Sequence, residues 1–417
     1  MRVKLTSLLL LLIFVTACGS GTSTPSANAT PTAPLIVTSA VTSAPEATST
    51  TAPTLLAPTA VIVTPETVQQ YGPENFPPDV NPLTGLKVAD PAVLERRPLA
   101  LKVSQFPRRV RPQFGLSLAD LVWEHYAEAG VTRMTALYLG NDSPKLGSIR
   151  SARLIDTVIT EGYKAILVTS GSSEGTLNRL ARTNFFDRVI AEATGFNKCP
   201  PLCREGDISQ STDLLFANTQ DLWDTATGLG LNTRQDLRGM AFFPDPPAGG
   251  APATTVHLDF QVDNNVTEWR YDSSTARYAR WVDTSVVGEL APHTDAVNGQ
   301  QLTAANVVVV YANHVTTDIV EDFADGGHCG YEIQVWSSGP ARLFRDGQAY
   351  DLTWVRFANP DLVGFVGADG AVFPFKPGNT WFEVLNLNSP TDFANGAFTA
   401  RFRGPSQSQG CPVGAGN

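Results

Sequence analysis

Phe243-Pro-Asp-Pro-Pro-Ala-Gly-Gly-Ala-Pro252 divides the chain into two stretches with different hydrophobic periods. Four prolines and two glycines in ten residues withhold backbone donors and fixed conformation, so 243–252 reads as a linker. Upstream, short apolar strands alternate with helical spacing. Residues 98–105 read as a strand, and 120–128 with 132–139 as a hairpin turning at Ala129-Gly130. A helix is expected over 151–163 from Leu154, Ile155, Val158 and Ile159, then a strand at 165–169 and helices at 174–182 and 212–227. This order predicts a mixed α/β domain over 73–242. Downstream, segments near 254–260, 267–271, 278–282, 307–311, 331–336, 341–344, 352–356 and 380–384 are β-branched and aromatic, with turn pairs such as Asp346-Gly347 and Pro377-Gly378. They predict a β-rich domain over 253–417, sandwich or barrel-like. The expected fold class is α+β.

The chain begins with Arg2, Lys4 and an apolar run over 5–15, followed by Val15-Thr16-Ala17-Cys18. A positive start, an apolar run too short to span a bilayer and small residues before a cysteine form a secretory signal over 1–18. The cysteine at the cleavage position resembles a bacterial lipobox, which implies that Cys18 is diacylated. Residues 19–72 are rich in Ser, Thr, Ala and Pro, with no Lys or Arg between Gly19 and Leu86. Such a segment buries too little apolar surface to offset its ordering entropy and is expected to be a disordered tether. Stretched, it reaches on the order of 100 Å. The expected location is extracytoplasmic, on the bacterial cell membrane through the N-terminal lipid.

The formal charge is −10, and removing residues 1–17 takes Arg2 and Lys4 but no acid, leaving −12. An acidic exported protein is not expected to bind nucleic acid. Of five cysteines, four remain once Cys18 is lipidated, which in an oxidising compartment points to two disulfides. The expected pairs are Cys199–Cys203 and Cys329–Cys411, although four cysteines allow three connectivities. Cys199-Pro-Pro-Leu-Cys203 is a C-x3-C loop rather than a C-x-x-C at a helix start, which argues for a structural bond.

Several segments match a known pattern in order: Asn81-Pro-Leu-Thr-Gly85, Arg111-Pro-Gln113 with Leu118-Ala-Asp120, Glu124 through Arg133, and Gly147-Ser-Ile-Arg-Ser-Ala-Arg153. Trp269-Arg-Tyr-Asp272, Asn306-Val-Val-Val-Val310, Leu343-Phe-Arg-Asp-Gly347, Thr353-Trp354 and Pro377-Gly-Asn-Thr-Trp381 continue it. Together they resemble the YerB-like lipoproteins, a DUF3048-type family of exported bacterial proteins, over about residues 80–390. The resemblance implies a two-domain extracytoplasmic lipoprotein and no established reaction.

The candidate ligand-binding residues are Arg133, Arg150, Arg153, Glu124 and Glu128. Glu124, Tyr126 and Glu128 alternate onto one strand face, and Arg133 returns toward them across the hairpin. Arg150 and Arg153 precede a helix for which Ser151 is a plausible cap, and guanidinium groups beside free helix N–H groups suit a phosphate, pyrophosphate or carboxylate. The competing reading pairs these arginines with Glu124, Glu128 and Asp120 as a structural ion network. Arginines after a strand in an exported α/β domain are also similar, without a shared motif, to the LytR-CpsA-Psr phosphotransferases, which clamp a lipid pyrophosphate. Gly171-Ser-Ser-Glu-Gly175 fits G-x-S-x-G, making Ser173 a candidate nucleophile with His257, His293, His314 or His328; a capping role for Ser172 or Ser173 is the stronger reading.

Asp318, Glu321, Asp322, Asp325 and His328 crowd one loop without EF-hand spacing, and neither HExxH nor paired C-x-x-C occurs. No metal and no cofactor are expected. Trp336, Trp354, Trp381, Phe344, Phe365 and Phe373 offer aromatics for a glycan surface, with core packing the default for alternating strands.

The function expected from the sequence is non-catalytic binding of an anionic cell-envelope component, a cell-wall polymer or a wall-synthesis protein. The alternative is a wall-polymer phosphotransferase or hydrolase using the arginines as clamps and Glu124 or Glu128 as base. A third possibility is a structural interaction protein whose arginines are all paired internally.

Overall fold

A computed structural model of the chain describes residues 69–206, 213–261, 264–323, 327–358, 361–405 and 411. The signal, Cys18 and nearly all of the expected tether lie outside the described residues.

The mixed region and the β-rich region meet in one sheet. Its centre is β1 (Leu99–Ser104), β2 (Leu121–Tyr126) and β3 (Thr132–Tyr138), in the order β2-β3-β1. On the β1 side, Ile166–Thr169 and Val189–Ala191 add in parallel. On the β2 side, strand Thr380–Asn386 pairs in parallel, Leu121 opposite Thr380, and leads to Asn306–Asp322, Ser337–Arg345 and Gln348–Arg356. These central strands are buried on both faces, which is why they read as continuous apolar runs such as Val307-Val-Val-Val310 rather than alternating ones.

Helix α1 (Ile155–Gly162) covers one face, setting Ile155 and Ile159 against a layer containing Trp123, Phe382 and Val308. The other face meets a seven-stranded sheet built on Thr255–Gln261, Asn265–Asp272 and Arg277–Asp283, with Val256, Leu258 and Trp269 facing Val122, Val307 and Trp381. The β-rich half is therefore an open two-sheet sandwich rather than a barrel.

Helix α2 (Glu174–Leu180) follows the sequence expectation closely, and so does the hairpin turn, where Ala129 and Gly130 adopt left-handed conformations at φ 51° and 80°. Two helix starts are later than expected. Residues 215–217 form a strand against Leu146–Gly147, and helix α3 (Thr219–Gly228) begins only after Asn218, whose side chain accepts from Asp221 N at 2.8 Å. Likewise α1 begins at Ile155 rather than 151. Arg150 N donates to Lys102 O (3.0 Å) and Ala152 N to Gly171 O (2.8 Å), so strand-like bonding holds 150–152 extended.

Candidate functional site

The shared sheet carries an ion network on each face, and four of the five expected site residues are divided between them. Beyond the end of β2, Glu128 lies in the turn and swings toward the α1 face. Its carboxylate accepts from Arg133 Nη2 at 2.8 Å and from Arg153 Nε at 2.6 Å, with a further bond from Arg153 Nη2. Arg153 also pairs with Glu321 at 3.2 Å, and Arg133 Nη1 donates to Ser151 O at 3.0 Å. Burial pushes the Glu128 carboxyl up, but the two guanidinium charges outweigh it and hold the group at about 2. Burial and the neighbouring Arg153 lower Arg133 to about 9.

Beside this lies a second buried set, Lys102 Nζ with Asp156 (2.9 Å), Thr135 Oγ1 (3.0 Å) and His125 Nε2 (2.6 Å). His125 Nδ1 faces the Tyr126 carbonyl at 2.9 Å, which can only accept, so Nδ1 carries the proton and Nε2 accepts from Lys102. Burial and the Lys102 charge keep this ring neutral, well below its usual pKa.

Glu124 points to the opposite face, so the structure does not bring Glu124 and Glu128 together. Glu124 Oε2 accepts from Arg280 Nη2 at 2.7 Å, and the same guanidinium reaches Glu383 at 3.1 Å through Nη1. Arg280 Nε donates to His293 Nδ1 (3.0 Å), His293 Nε2 to Gln113 Oε1 (2.6 Å), and Gln113 Nε2 to Gln105 Oε1 (3.0 Å). Trp269 Nε1 donates to Glu383 at 2.8 Å, and Arg280 lies 4.4 Å from the Trp381 ring centroid. Arg280, Glu124 and Glu383 are wholly buried. One guanidinium thus faces two carboxylates, and burial with the Glu124 charge pushes Glu383 up to about 8.

Arg150 stands apart from Arg133 and Arg153. Its guanidinium lies 3.4 Å from Asp213, which Arg109 also contacts at 2.7 Å. Where the sequence suggested free N–H groups ahead of α1, those of Arg150 and Ala152 are bonded to carbonyls and that of Arg153 donates to Asp156 Oδ2 at 2.6 Å.

A different place shows a charged group open to solvent. Three of the family-like segments, Asn81-Pro-Leu-Thr-Gly85, Leu118-Ala-Asp120 and Pro377-Gly-Asn379, converge on a groove of about 470 Å³. Gly378 N bonds Thr84 O at 2.8 Å, and Asn81 Nδ2 bonds Asp120 at 2.9 Å. Arg277 forms one wall. Its Nε donates to Thr303 Oγ1 (2.8 Å) and its Nη2 to Thr303 O (3.2 Å) and Asn379 Oδ1. No carboxylate among the described residues pairs with Arg277, and burial alone lowers its pKa. Sequence reasoning missed this residue: Arg277 follows a surface turn, and no spacing links it to 81–85.

Residues 83–232 match the family described as Protein of unknown function (DUF3048) N-terminal domain, and residues 256–382 match the DUF3048 C-terminal domain. The chain belongs to the DUF3048 family. It is 28% identical over 306 residues to "Putative lipoprotein YerB" of Bacillus subtilis (strain 168), covering 73% of this chain and 85% of that protein. The crystal structure of YerB protein from Bacillus subtilis superposes with a TM-score of 0.60 at 27% identity, covering 73% of this chain and 96% of that one.

The other candidates of this DUF3048 chain have local roles. Ser173 caps α2, its Oγ accepting from Thr176 N at 3.3 Å. Asp318, Glu321 and Asp322 lie on strand Asn306–Asp322 rather than in the expected loop; Glu321 pairs with Arg153 and accepts from Thr176 Oγ1, and among the described residues no His/Cys/Asp/Glu group of three is placed to hold a metal, with Asp325 outside them. Cys199–Cys203 and Cys329–Cys411 are both bonded. Trp354, Trp381, Phe344 and Phe365 are core, Phe373 is half-buried, and Trp336 is 42% exposed.

Proposed function

We propose that this protein is an extracytoplasmic lipoprotein, anchored to the cell membrane through Cys18, that binds an anionic cell-envelope component without transforming it. The Cys18 lipobox and the lipoprotein name of the Bacillus subtilis relative support the anchor. The observation that carries the binding reading is Arg277, a half-buried guanidinium without a carboxylate partner among the described residues, on the wall of an open groove. The arginines first expected to clamp a substrate do not favour transfer chemistry. Arg133 and Arg153 are engaged by Glu128 and Glu321, and Glu124 is held by Arg280. A base already bonded to a buried cation is a poor proton acceptor.

The test is cosedimentation of the detergent-solubilised full chain with purified cell wall, comparing the parent with Arg277→Gln, Lys87→Gln and Arg150→Ala variants of unchanged melting temperature. Binding lost in Arg277→Gln, weakened in Lys87→Gln and kept in Arg150→Ala is expected. Equal binding by all four, or none by the parent, refutes the reading.

A further inference from the structure

The groove at Arg277 is not a uniformly cationic surface, and its charge layout narrows the class of ligand, an inference that rests on the binding function proposed for the same groove. Two cations, Lys87 and Arg277, share the lining with two acids, Asp90 and Asp120. Lys87 is exposed at the rim, 4.0 Å from Asp79, and contributes a solvent-facing charge. Arg277 is held in place by Thr303 and Asn379 through Nε and Nη2, and its Nη1 has no acceptor among the described residues. A Cβ at Gly378 would sit 3.5 Å from Nη1 and 2.5 Å from Ala305 Cβ, at a φ of +139° that L side chains rarely adopt. Glycine at 378 therefore leaves the Nη1 edge approachable.

The acids are equally well defined. Asp120 accepts from Asn81 Nδ2 (2.9 Å), Leu139 N (2.5 Å) and Gly140 N (3.0 Å), and is buried beneath the groove. Asp90 is exposed, with Oδ1 accepting from Ala92 N at 2.9 Å. Asn141 and Ser117 supply amide and hydroxyl groups, while Leu86 and Val93 supply apolar contact. A multiply charged polymer such as a polyphosphate would meet Asp90 and Asp120 as well as the cations and gain little net attraction. A ligand with one charge of each sign, hydrogen-bonding groups between them and small apolar side chains matches the whole lining. The volume of about 470 Å³ lies within the usual small-ligand range of roughly 300–1,000 Å³.

We infer that the groove binds a short peptide carrying both a free carboxylate, seated on Arg277, and a free amine, seated at the exposed Asp90 carboxylate. The experiment is calorimetric titration of the detergent-solubilised full chain with trialanine of either handedness, its C-terminal amide, its N-acetyl form, and tripolyphosphate. Free trialanine is expected to bind at least tenfold more tightly than the amide or the N-acetyl form, and more tightly than tripolyphosphate. Arg277→Gln should abolish the preference for the free carboxylate. Asp90→Asn, which can still cap residues 91–95, should reduce the preference for the free amine. Equal affinity for the free, amidated and acetylated peptides overturns the inference. Binding of tripolyphosphate alone overturns it too, yet leaves the anion-binding reading intact, whereas binding of no probe counts against both. The ligand series requires no protein variant, so a misfolded Arg277→Gln does not blunt it.

Discussion

Replacing Glu383 by glutamine should stabilise the protein relative to the parent, by an amount that grows with pH. Glu383 and Glu124 share one guanidinium inside a wholly buried layer, and Glu383 Oε2 has no hydrogen-bond partner among the described residues. Desolvation and the Glu124 charge raise the folded-state pKa to about 8 from a usual 4.5, so the native protein holds a proton that the unfolded chain has released. For a raised pKa the contribution to stability is fully present below about 4.5 and is lost as pH climbs toward about 8. One proton corresponds to a slope of about 1.4 kcal/mol per pH unit, and the whole window to at most ~5 kcal/mol. Glutamine keeps an oxygen for Trp269 Nε1 and Arg280 Nη1 and does not titrate, so this component of the slope disappears. Denaturant unfolding at pH 5, 6, 7 and 8 reads the effect directly. The variant should gain on the parent by roughly 1 kcal/mol or more per unit across this range. Parallel stability profiles would show that Glu383 is ionised throughout and that Arg280 stabilises both carboxylates together.

The opposite sign is expected at Glu128. Its folded pKa of about 2 lies below the usual 4.5, so its contribution is present above 4.5 and is lost as pH falls toward 2. Glu128→Gln should cost about 3–5 kcal/mol at pH 7 by leaving Arg133 and Arg153 undercompensated, with the deficit shrinking below pH 4.5 in the same unfolding assay. Cys411→Ser opens a loop closed across a sequence separation of 82 and should cost about 4 kcal/mol, seen as a lower melting temperature that reductant no longer shifts through this bond. Ser173→Ala removes the α2 cap, costing about 1 kcal/mol; an ester substrate hydrolysed by the parent and not by this variant would revive the nucleophile reading.

The parts of the fold legible in the sequence are those set by local period and turn chemistry. The Ala129-Gly130 hairpin and α2 needed only alternation, a turn pair and a capping serine. The β-branched run over 307–310 signalled a strand, and the structure shows that it is continuously apolar because both faces are covered. Partnerships at long range were not legible. Thr380–Asn386 lies parallel to β2 across some 260 residues of chain, and no periodicity records that pairing. The same limit explains the arginines. Their association with Glu128 was within reach because Arg133 lies across one hairpin, whereas Arg280 as the partner of Glu124 arrives from the second sheet, 156 residues away.

Alternation also misled at Glu128, since β2 ends at Tyr126 and a turn residue owes nothing to the strand's two-residue period. That one difference separates a single acidic patch from two insulated networks on opposite faces of a sheet. It also bears on function: charges sealed within a sheet sandwich are satisfied by one another, whereas ligand recognition needs a charge that the fold leaves underpaired where solvent can reach it. Arg277 meets that condition because Thr303 and Asn379 orient its guanidinium without neutralising it. Recognising such a residue requires knowing which acids are absent from its surroundings, and that information exists only once distant strands have been brought together.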